Sequence, residues 1–171
     1  MALADKKVLM VMPPNRFNED EFEITRKVLE NRGLRVTIAS VGLGELRGQK
    51  RATARATVKL DDVKTYDYDA IVFVGGEGAR SLVDHEKATK LAKDAEYKVL
   101  GAIGVAPAIL AKGGVLKGKR ATAAVDVAGI LRSQEAVYTA QPLEVADKIV
   151  TAQDAKYAEA FGNALLRTLE K

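Results

Sequence analysis

The chain has 171 residues, of which 47% are hydrophobic and 29% charged, a composition that predicts one soluble globular domain over residues 1–171. It contains no cysteine and a single histidine, His85, which excludes disulfides, thiolate nucleophiles and Cys/His metal centres. The net charge of +4 is distributed over runs of mixed sign, and no apolar run approaches the roughly 20 residues of a membrane span. We therefore predict a cytoplasmic protein with no metal or cofactor and with neither nucleic acid nor membrane as a partner.

The first forty residues predict a strand, a helix and a second strand. The apolar run at 7–12 is typical of a buried strand, and amphipathic residues 22–31 predict a helix that Gly33 closes. Residues 34–39 then predict a second parallel strand. This order is a βαβ unit.

The next stretch predicts a loop, a side structure and a central strand. Residues 42–48 are predicted to be a loop, and residues 51–60 alternate between small apolar and polar side chains, as in an edge strand or hairpin. Residues 70–74 (A-I-V-F-V) predict a central strand followed by a glycine-rich loop at 75–80. Residues 86–97 predict an amphipathic helix.

The stretch from 99 to 119 predicts a sharp turn between a strand and a helix. Residues 99–103 form a short apolar run, Gly104 follows, and Pro107 is suited to the first turn of a helix that ends at a Gly-Gly pair. Such a turn presents one residue at the crest of a sheet, where many hydrolases hold a nucleophile. Here the crest residue is a glycine without a side chain.

The remaining chain completes a sandwich. Short strands are predicted at 120–125, 137–140, 143–146 and 148–152, with a short helix around residue 130 and a final helix at 154–170. The fold class is therefore α/β, with helices on both faces of a mostly parallel sheet.

Two glycine motifs fail as nucleotide sites. The motif at 42–48 (G-L-G-E-L-R-G) is one residue too long for a dinucleotide fingerprint and follows the second strand. The motif at 113–120 (G-G-V-L-K-G-K-R) has Arg120 where a P-loop needs Ser or Thr, and it leads from helix to strand.

Ligands of open α/β sheets bind at the carboxyl ends of the strands, where three predicted segments meet. The N–H groups of Gly75 or Gly76 and of Val105 are expected to face a common point, as in an oxyanion hole. Glu21, from the loop after the first strand, is expected at the same edge. In an apolar cleft its pKa would rise and it could bind or move a proton, whereas at an exposed helix N-terminus it would be an ordinary solvated acid.

Two segments carry a family resemblance: A-I-V-F-V-G-G-E-G-A-R at 70–80 and A-I-G-V-A-P-A-I-L-A-K-G-G-V-L-K-G-K-R-A-T at 102–122. With the first strand and the late T-A-Q-D-A-K-Y-A-E-A-F-G, they resemble the ThiJ/PfpI superfamily over nearly the whole chain. The resemblance implies a flavodoxin-like three-layer sandwich and self-association as a dimer or higher oligomer. It also implies activities of the glyoxalase, deglycase or peptidase/amidase type, or roles in stress response or as a chaperone.

The resemblance also implies positions for the family's reactive groups. The elbow cysteine falls on Gly104, the following residue on Val105, and the glutamate that hydrogen-bonds the cysteine falls on Glu21. The family's glycine turn is intact. The resemblance therefore implies the family scaffold without its nucleophile. The positions carried over also include the glycine turn, Gly75 and Gly76, and a site wall at Ala123 or Ala124.

Three hypotheses follow from the missing cysteine. The chain is a non-catalytic family member that binds or assembles, a nucleophile-deleted form of a family enzyme, or an enzyme that uses Glu21 alone on a small carbonyl compound. Glycine at 104 relieves elbow strain and is expected to vacate volume, which predicts an open, small-walled apolar pocket.

Overall fold

The architecture is taken from a computed structural model that describes residues 2–171. Twelve strands and six helices are present in the described residues. The strands are β1 (Lys7–Val11), β2 (Asn15–Phe17), β3 (Arg35–Ser40), β4 (Gly44–Gly48), β5 (Thr53–Ala56), β6 (Val58–Lys59), β7 (Ala70–Phe73), β8 (Val99–Ile103), β9 (Arg120–Ala121), β10 (Val137–Tyr138), β11 (Leu143–Ala146) and β12 (Ile149–Ala152). The helices are α1 (Glu19–Asn31), α2 (Arg80–Val83), α3 (Glu86–Asp94), α4 (Pro107–Lys112), α5 (Ala128–Ser133) and α6 (Ala158–Glu170).

Seven strands form the central sheet in the order β11-β12-β8-β7-β1-β3-β6. Every neighbouring pair is parallel except β11 with β12, which confirms the predicted mostly parallel sheet. The inner strands β7, β8 and β12 are buried along their whole length. They therefore read as continuous apolar runs, as expected of strands covered on both faces.

Two apolar cores lie on opposite faces of this sheet. One face packs against α1 and α6 through residues such as Phe22, Leu29 and Phe161, and the other packs against α3, α4 and α5 through residues such as Leu91 and Ile109. The α/β sandwich with helices on both faces is therefore confirmed. Across residues 2–171, no helix is both long and apolar enough to cross a lipid bilayer.

The largest differences from the sequence prediction lie in two segments, whereas the helices predicted at 86–97 and 154–170 are only shorter, at Glu86–Asp94 and Ala158–Glu170. Residues 44–48, predicted as a loop, form strand β4, which pairs antiparallel with β5 and parallel with β2 in a separate three-stranded sheet. The glycine content of this segment concealed the alternation, since its buried positions include Gly48. The strand predicted at 120–125 is only Arg120–Ala121 and pairs with β10 outside the main sheet.

Helix α1 begins three residues earlier than predicted because Asn18 caps it. The Asn18 side chain accepts a hydrogen bond from the Glu21 N–H at 3.0 Å, as an N-cap residue does. This cap brings the acidic run of residues 19–21 into the first helical turn and fixes the direction of its side chains.

Candidate functional site

The elbow between β8 and α4 is held on both sides by backbone hydrogen bonds. Gly104 has a φ of +70°, a left-handed conformation that costs other residues about 1–3 kcal/mol. Its N–H donates to the Ala152 carbonyl at 3.0 Å, and its carbonyl accepts from the Ala124 N–H at 2.8 Å. The sharp turn predicted at this position is thus present and tied to two neighbouring segments.

Glu21 reaches the elbow from the first turn of α1. Its side chain is only 4% exposed, and its Oε1 accepts a hydrogen bond from the Gly75 N–H at 2.9 Å. Its Oε2 makes no hydrogen bond with any described residue. The structure therefore gives Glu21 the buried position rather than the solvated one.

The carboxyl group of Glu21 occupies the space that a side chain at position 104 would need. A Cβ atom added to Gly104 would lie 3.0 Å from Glu21 Cδ and in closer overlap with Oε2. The expectation of vacated volume and an open pocket at this position is therefore wrong, because the glutamate fills the volume that the glycine leaves.

Burial raises the pKa of Glu21 from 4.5 to about 8. The hydrogen bond from Gly75 lowers this pKa, and the negative charge of Asp154 raises it. Burial dominates because an ionised carboxylate loses its hydration in the protein interior. At neutral pH the Glu21 carboxyl group in the elbow is consequently mostly protonated.

The proposed oxyanion donors lie around this carboxyl group. The Gly75 N–H is already engaged by Glu21, and Val105 N lies 3.0 Å from the position of a Cβ added to Gly75. The Val105 N–H has no acceptor among the described residues. The glycine turn is thus close to the elbow, but one of its donors binds the protein's own carboxyl group.

Glycine is required at 75 and 76 because the backbone approaches neighbouring segments closely. A Cβ at Gly75 would lie 2.5 Å from the Ile103 carbonyl oxygen, and one at Gly76 would lie 2.6 Å from the Arg16 carbonyl oxygen. Gly76 also has a φ of +111°. These contacts explain the Gly-Gly pair by packing as well as by any role in binding.

Ala123 and Ala124 lie beside the elbow, as the sequence suggested. Ala123 is fully buried and Ala124 is half-buried, with its N–H on the Gly104 carbonyl. Tyr138 donates a hydrogen bond from its hydroxyl to the Ala123 carbonyl at 3.4 Å. The two alanines provide only apolar side-chain surface.

Sequence reasoning missed Asp154, which acts electrostatically on Glu21. It follows β12, and Ala152 at the end of β12 lies opposite Ile103 in the parallel ladder with β8. The sheet topology could have identified Asp154, because neighbouring parallel strands end at the same edge of a sheet. It could not be used before the order of the strands was known.

An ion-pair group near the elbow was also missed. Arg80 binds Glu77 at 3.1 Å and pairs with Asp126, joining the loop after β7 to the segment that follows Ala124. All three side chains are at least 41% exposed, so this group contributes little to stability.

The fold and the site define an α/β protein of the flavodoxin-like type with a sharp strand-to-helix elbow and a glutamate that faces it. A model of the DJ-1/PfpI family matches residues 6–168. The chain therefore belongs to the DJ-1/PfpI family, as the resemblance of its motifs implied.

Several relatives align over most of the chain. A protein from Methanocaldococcus jannaschii is 34% identical over 174 residues, covering 99% of this chain and 85% of the relative. The glutathione-independent glyoxalase DJR-1.2 of Caenorhabditis elegans is 27% identical, covering 98% of this chain and 90% of the relative. Deglycase PfpI of Pyrococcus furiosus is 28% identical over 121 residues, covering 70% of this chain and 73% of the relative.

Solved structures agree on the fold. A ThiJ/PfpI domain protein from Brachyspira murdochii superposes with a TM-score of 0.94 at 25% identity, covering 98% of both chains. Drosophila melanogaster DJ-1beta superposes with a TM-score of 0.85 at 24% identity, covering 98% of this chain and 92% of that one.

Proposed function

We propose that this protein is a DJ-1/PfpI family member that does not perform thiolate chemistry and acts through binding or assembly. The observation that carries the proposal is the Glu21 carboxyl group, which fills the elbow beside Gly104. The absence of cysteine from the sequence supports it. A family site that had lost only its nucleophile would leave a gap at this point, whereas here the gap is filled.

The chemistry of a neutral, buried carboxyl group supports the same conclusion. Covalent addition to a carbonyl carbon requires a strong nucleophile, and a protonated carboxylic acid is a weak one. Glu21 is also hydrogen-bonded to Gly75 and 4% exposed, so a substrate would have to displace it to reach the elbow. In this site the Glu21 carboxyl group is therefore a packed side chain of the elbow.

The test compares the parent chain with Gly104→Cys in the consumption of methylglyoxal. We expect no turnover by the parent, which has no thiol. In the variant, Glu21 occupies the position that the new cysteine side chain needs, so we expect its thiol to show only ordinary reactivity towards a thiol reagent. Turnover by the parent would contradict the proposal. Efficient turnover by Gly104→Cys would instead favour the alternative that this chain is a nucleophile-deleted glyoxalase, deglycase or peptidase-type enzyme.

A second candidate function uses Glu21 as a general acid or base on a small carbonyl ligand. It is favoured by the raised pKa of about 8 and by the unengaged Oε2, since a group that titrates near the working pH transfers protons effectively. In this case the rate on an α-hydroxycarbonyl substrate would titrate near pH 8 and disappear in Glu21→Gln. A rate independent of pH, or one retained by Glu21→Gln, would remove this candidate.

The binding role includes self-association in the cytoplasm as a dimer or higher oligomer of one folded unit over residues 1–171. The family relationship supports this, and sedimentation equilibrium tests it. We expect a defined oligomer at micromolar concentration. A monomer over the whole concentration range would contradict this part of the proposal.

A further inference from the structure

The segment at residues 47–59 carries several basic side chains and no acidic one. The chain carries 27 basic and 23 acidic side chains, and residues 47–59 include five of the basic and none of the acidic ones. The remaining chain therefore has 22 basic and 23 acidic side chains, a net charge of −1. The basic residues of this segment are Arg47, Lys50, Arg51, Arg55 and Lys59.

These residues belong to the antiparallel pair β4 and β5 and the chain on either side of it, which we call the cationic ribbon (residues 43–59). Along the ribbon every odd-numbered position is exposed, whereas Leu46, Gly48 and Ala56 are buried. Successive side chains of a strand point to opposite faces, so the odd positions share the outward face. Glu45, Arg47 and Arg55 lie on that face, with Glu45 opposite Arg55 in the pairing of β4 and β5, and the apolar Leu43 lies at its end.

The cations of the ribbon are mostly free of acidic partners. Arg47 pairs with Glu45 at 3.1 Å, but Arg51, Arg55 and Lys59 form no ion pair within residues 2–171. The exposed lysines of α3 behave differently, since each of them lies within ion-pair distance of an acid. Those lysines are Lys87, Lys90 and Lys93, with Asp61, Asp94 and Glu96 as their partners.

The ribbon is held in place from beneath. Glu19 is 8% exposed, and its Oε2 accepts hydrogen bonds from the N–H groups of Lys50 at 2.6 Å and Ala52 at 3.2 Å. The side-chain oxygen of Gln49 accepts from the Glu77 N–H at 2.8 Å, which ties the turn to the loop after β7. These hydrogen bonds therefore hold the backbone that carries the basic side chains in a defined position.

Exposed apolar side chains adjoin the same surface. Val41 is 42% exposed and Leu43 is 60% exposed, and they precede β4 in the segment V-G-L-G. Gly44 pairs with Ala56, so Leu43 lies at the end of the ribbon that is nearer to Arg55 than to the turn. The face thus combines unpaired cations with an apolar edge.

Contrary to the expectation from the sequence that no membrane is a partner, we propose that the outward face of the cationic ribbon docks on an anionic lipid surface. Unpaired cations are attracted to acidic headgroups, and exposed Val and Leu side chains gain by leaving water at the headgroup boundary. A nucleic acid would use the cations alone, and the ribbon residues 43–59 contain no aromatic side chain on which bases could stack. The lipid surface accounts for both the charge and the apolar edge.

The test is co-sedimentation of the full chain with vesicles of phosphatidylcholine alone or with 30% phosphatidylserine. We expect binding to the anionic vesicles that weakens as salt is raised, and little binding to the neutral ones. Removing a cation at the surface weakens binding about five-fold, so a triple substitution of Arg51, Arg55 and Lys59 to Gln should weaken it about a hundred-fold. Leu43→Ser should weaken it at high and low salt alike.

The matched control is the triple substitution of Lys87, Lys90 and Lys93 to Gln, which removes the same charge from α3. We expect less than a three-fold effect from this control. Equal losses from the two triple variants would show that only net charge matters and would overturn the proposal. It would also be overturned by equal binding to neutral vesicles, or by binding to single-stranded RNA without binding to vesicles. Unchanged urea midpoints for the variants establish that they are folded.

Discussion

The buried carboxyl group of Glu21 should make the stability of this protein depend on pH, and Glu21→Gln isolates that dependence. In the folded chain burial raises the pKa of Glu21 from 4.5 to about 8. The folded state therefore retains this proton over a range in which the unfolded chain has lost it. The contribution of Glu21 to the free energy of unfolding is therefore fully present below about pH 4.5. It falls as the pH rises and is lost above about pH 8.

The expected magnitude follows from the shift itself. Between the two pKa values the folded state holds one more proton than the unfolded state, so the free energy of unfolding falls by about 1.4 kcal/mol per pH unit. Between pH 4.5 and a pH of about 8, the loss in the free energy of unfolding is therefore on the order of 5 kcal/mol. Glutamine keeps the shape and the acceptor for the Gly75 N–H but cannot ionise.

The assay is urea unfolding of the parent and of Glu21→Gln at pH 5, 6.5, 8 and 9. Groups that titrate alike in both proteins cancel in the difference. We expect the stability of the parent relative to the variant to fall steadily from pH 5 to pH 8 and then to level off. A difference that stays constant from pH 5 to pH 9, or that grows with pH, would refute the assignment of a neutral buried carboxyl group.

Three further predictions concern packing and backbone conformation. Gly104→Ala should destabilise the folded protein more than Gly118→Ala does. Both glycines have a positive φ (+70° and +74°), but only a Cβ at position 104 would meet another side chain. A smaller loss of thermal stability for Gly104→Ala than for Gly118→Ala would contradict the packed elbow. Gly101→Ala would place its Cβ 2.9 Å from α6 side chains and should cost about 1–3 kcal/mol, whereas Gly129→Ala meets nothing and should be neutral or stabilising by urea titration. Glu19→Ala should cost about 1–3 kcal/mol and increase proteolysis at the turn of the ribbon; unchanged cleavage rates would show that its hydrogen bonds do not hold that turn.

Much of the fold could be predicted because its strands are buried on both faces. Strands β1, β7 and β8 are continuous apolar runs that need no long-range information to be recognised, and Pro107 and Gly104 mark the turn between β8 and α4. The second sheet was only partly predicted, since half of the hairpin was visible in the alternation of residues 51–60. The other half, β4, has glycine at both ends and resembles a loop.

The sequence by itself determined that the elbow has no nucleophile. Cysteine is absent from the chain, and glycine at position 104 has no side chain to react. The resemblance to the family also implied that its glutamate, which faces the elbow, falls on Glu21. It left open whether Glu21 is solvated or buried, because both environments suit an acidic residue in the first turn of a helix.

Only the tertiary structure decided what stands in place of the missing nucleophile. The Asn18 cap, the close approach of Gly75 and the bare backbone of Gly104 together leave room for the Glu21 carboxyl group, which enters it and becomes 4% exposed. Three segments that are far apart in the chain meet at this point. No local sequence pattern could therefore predict the contact between Glu21 and the elbow. The ribbon is similar: its charges are visible in the sequence, but the placing of Arg47 and Arg55 on one face follows from the pairing of β4 with β5.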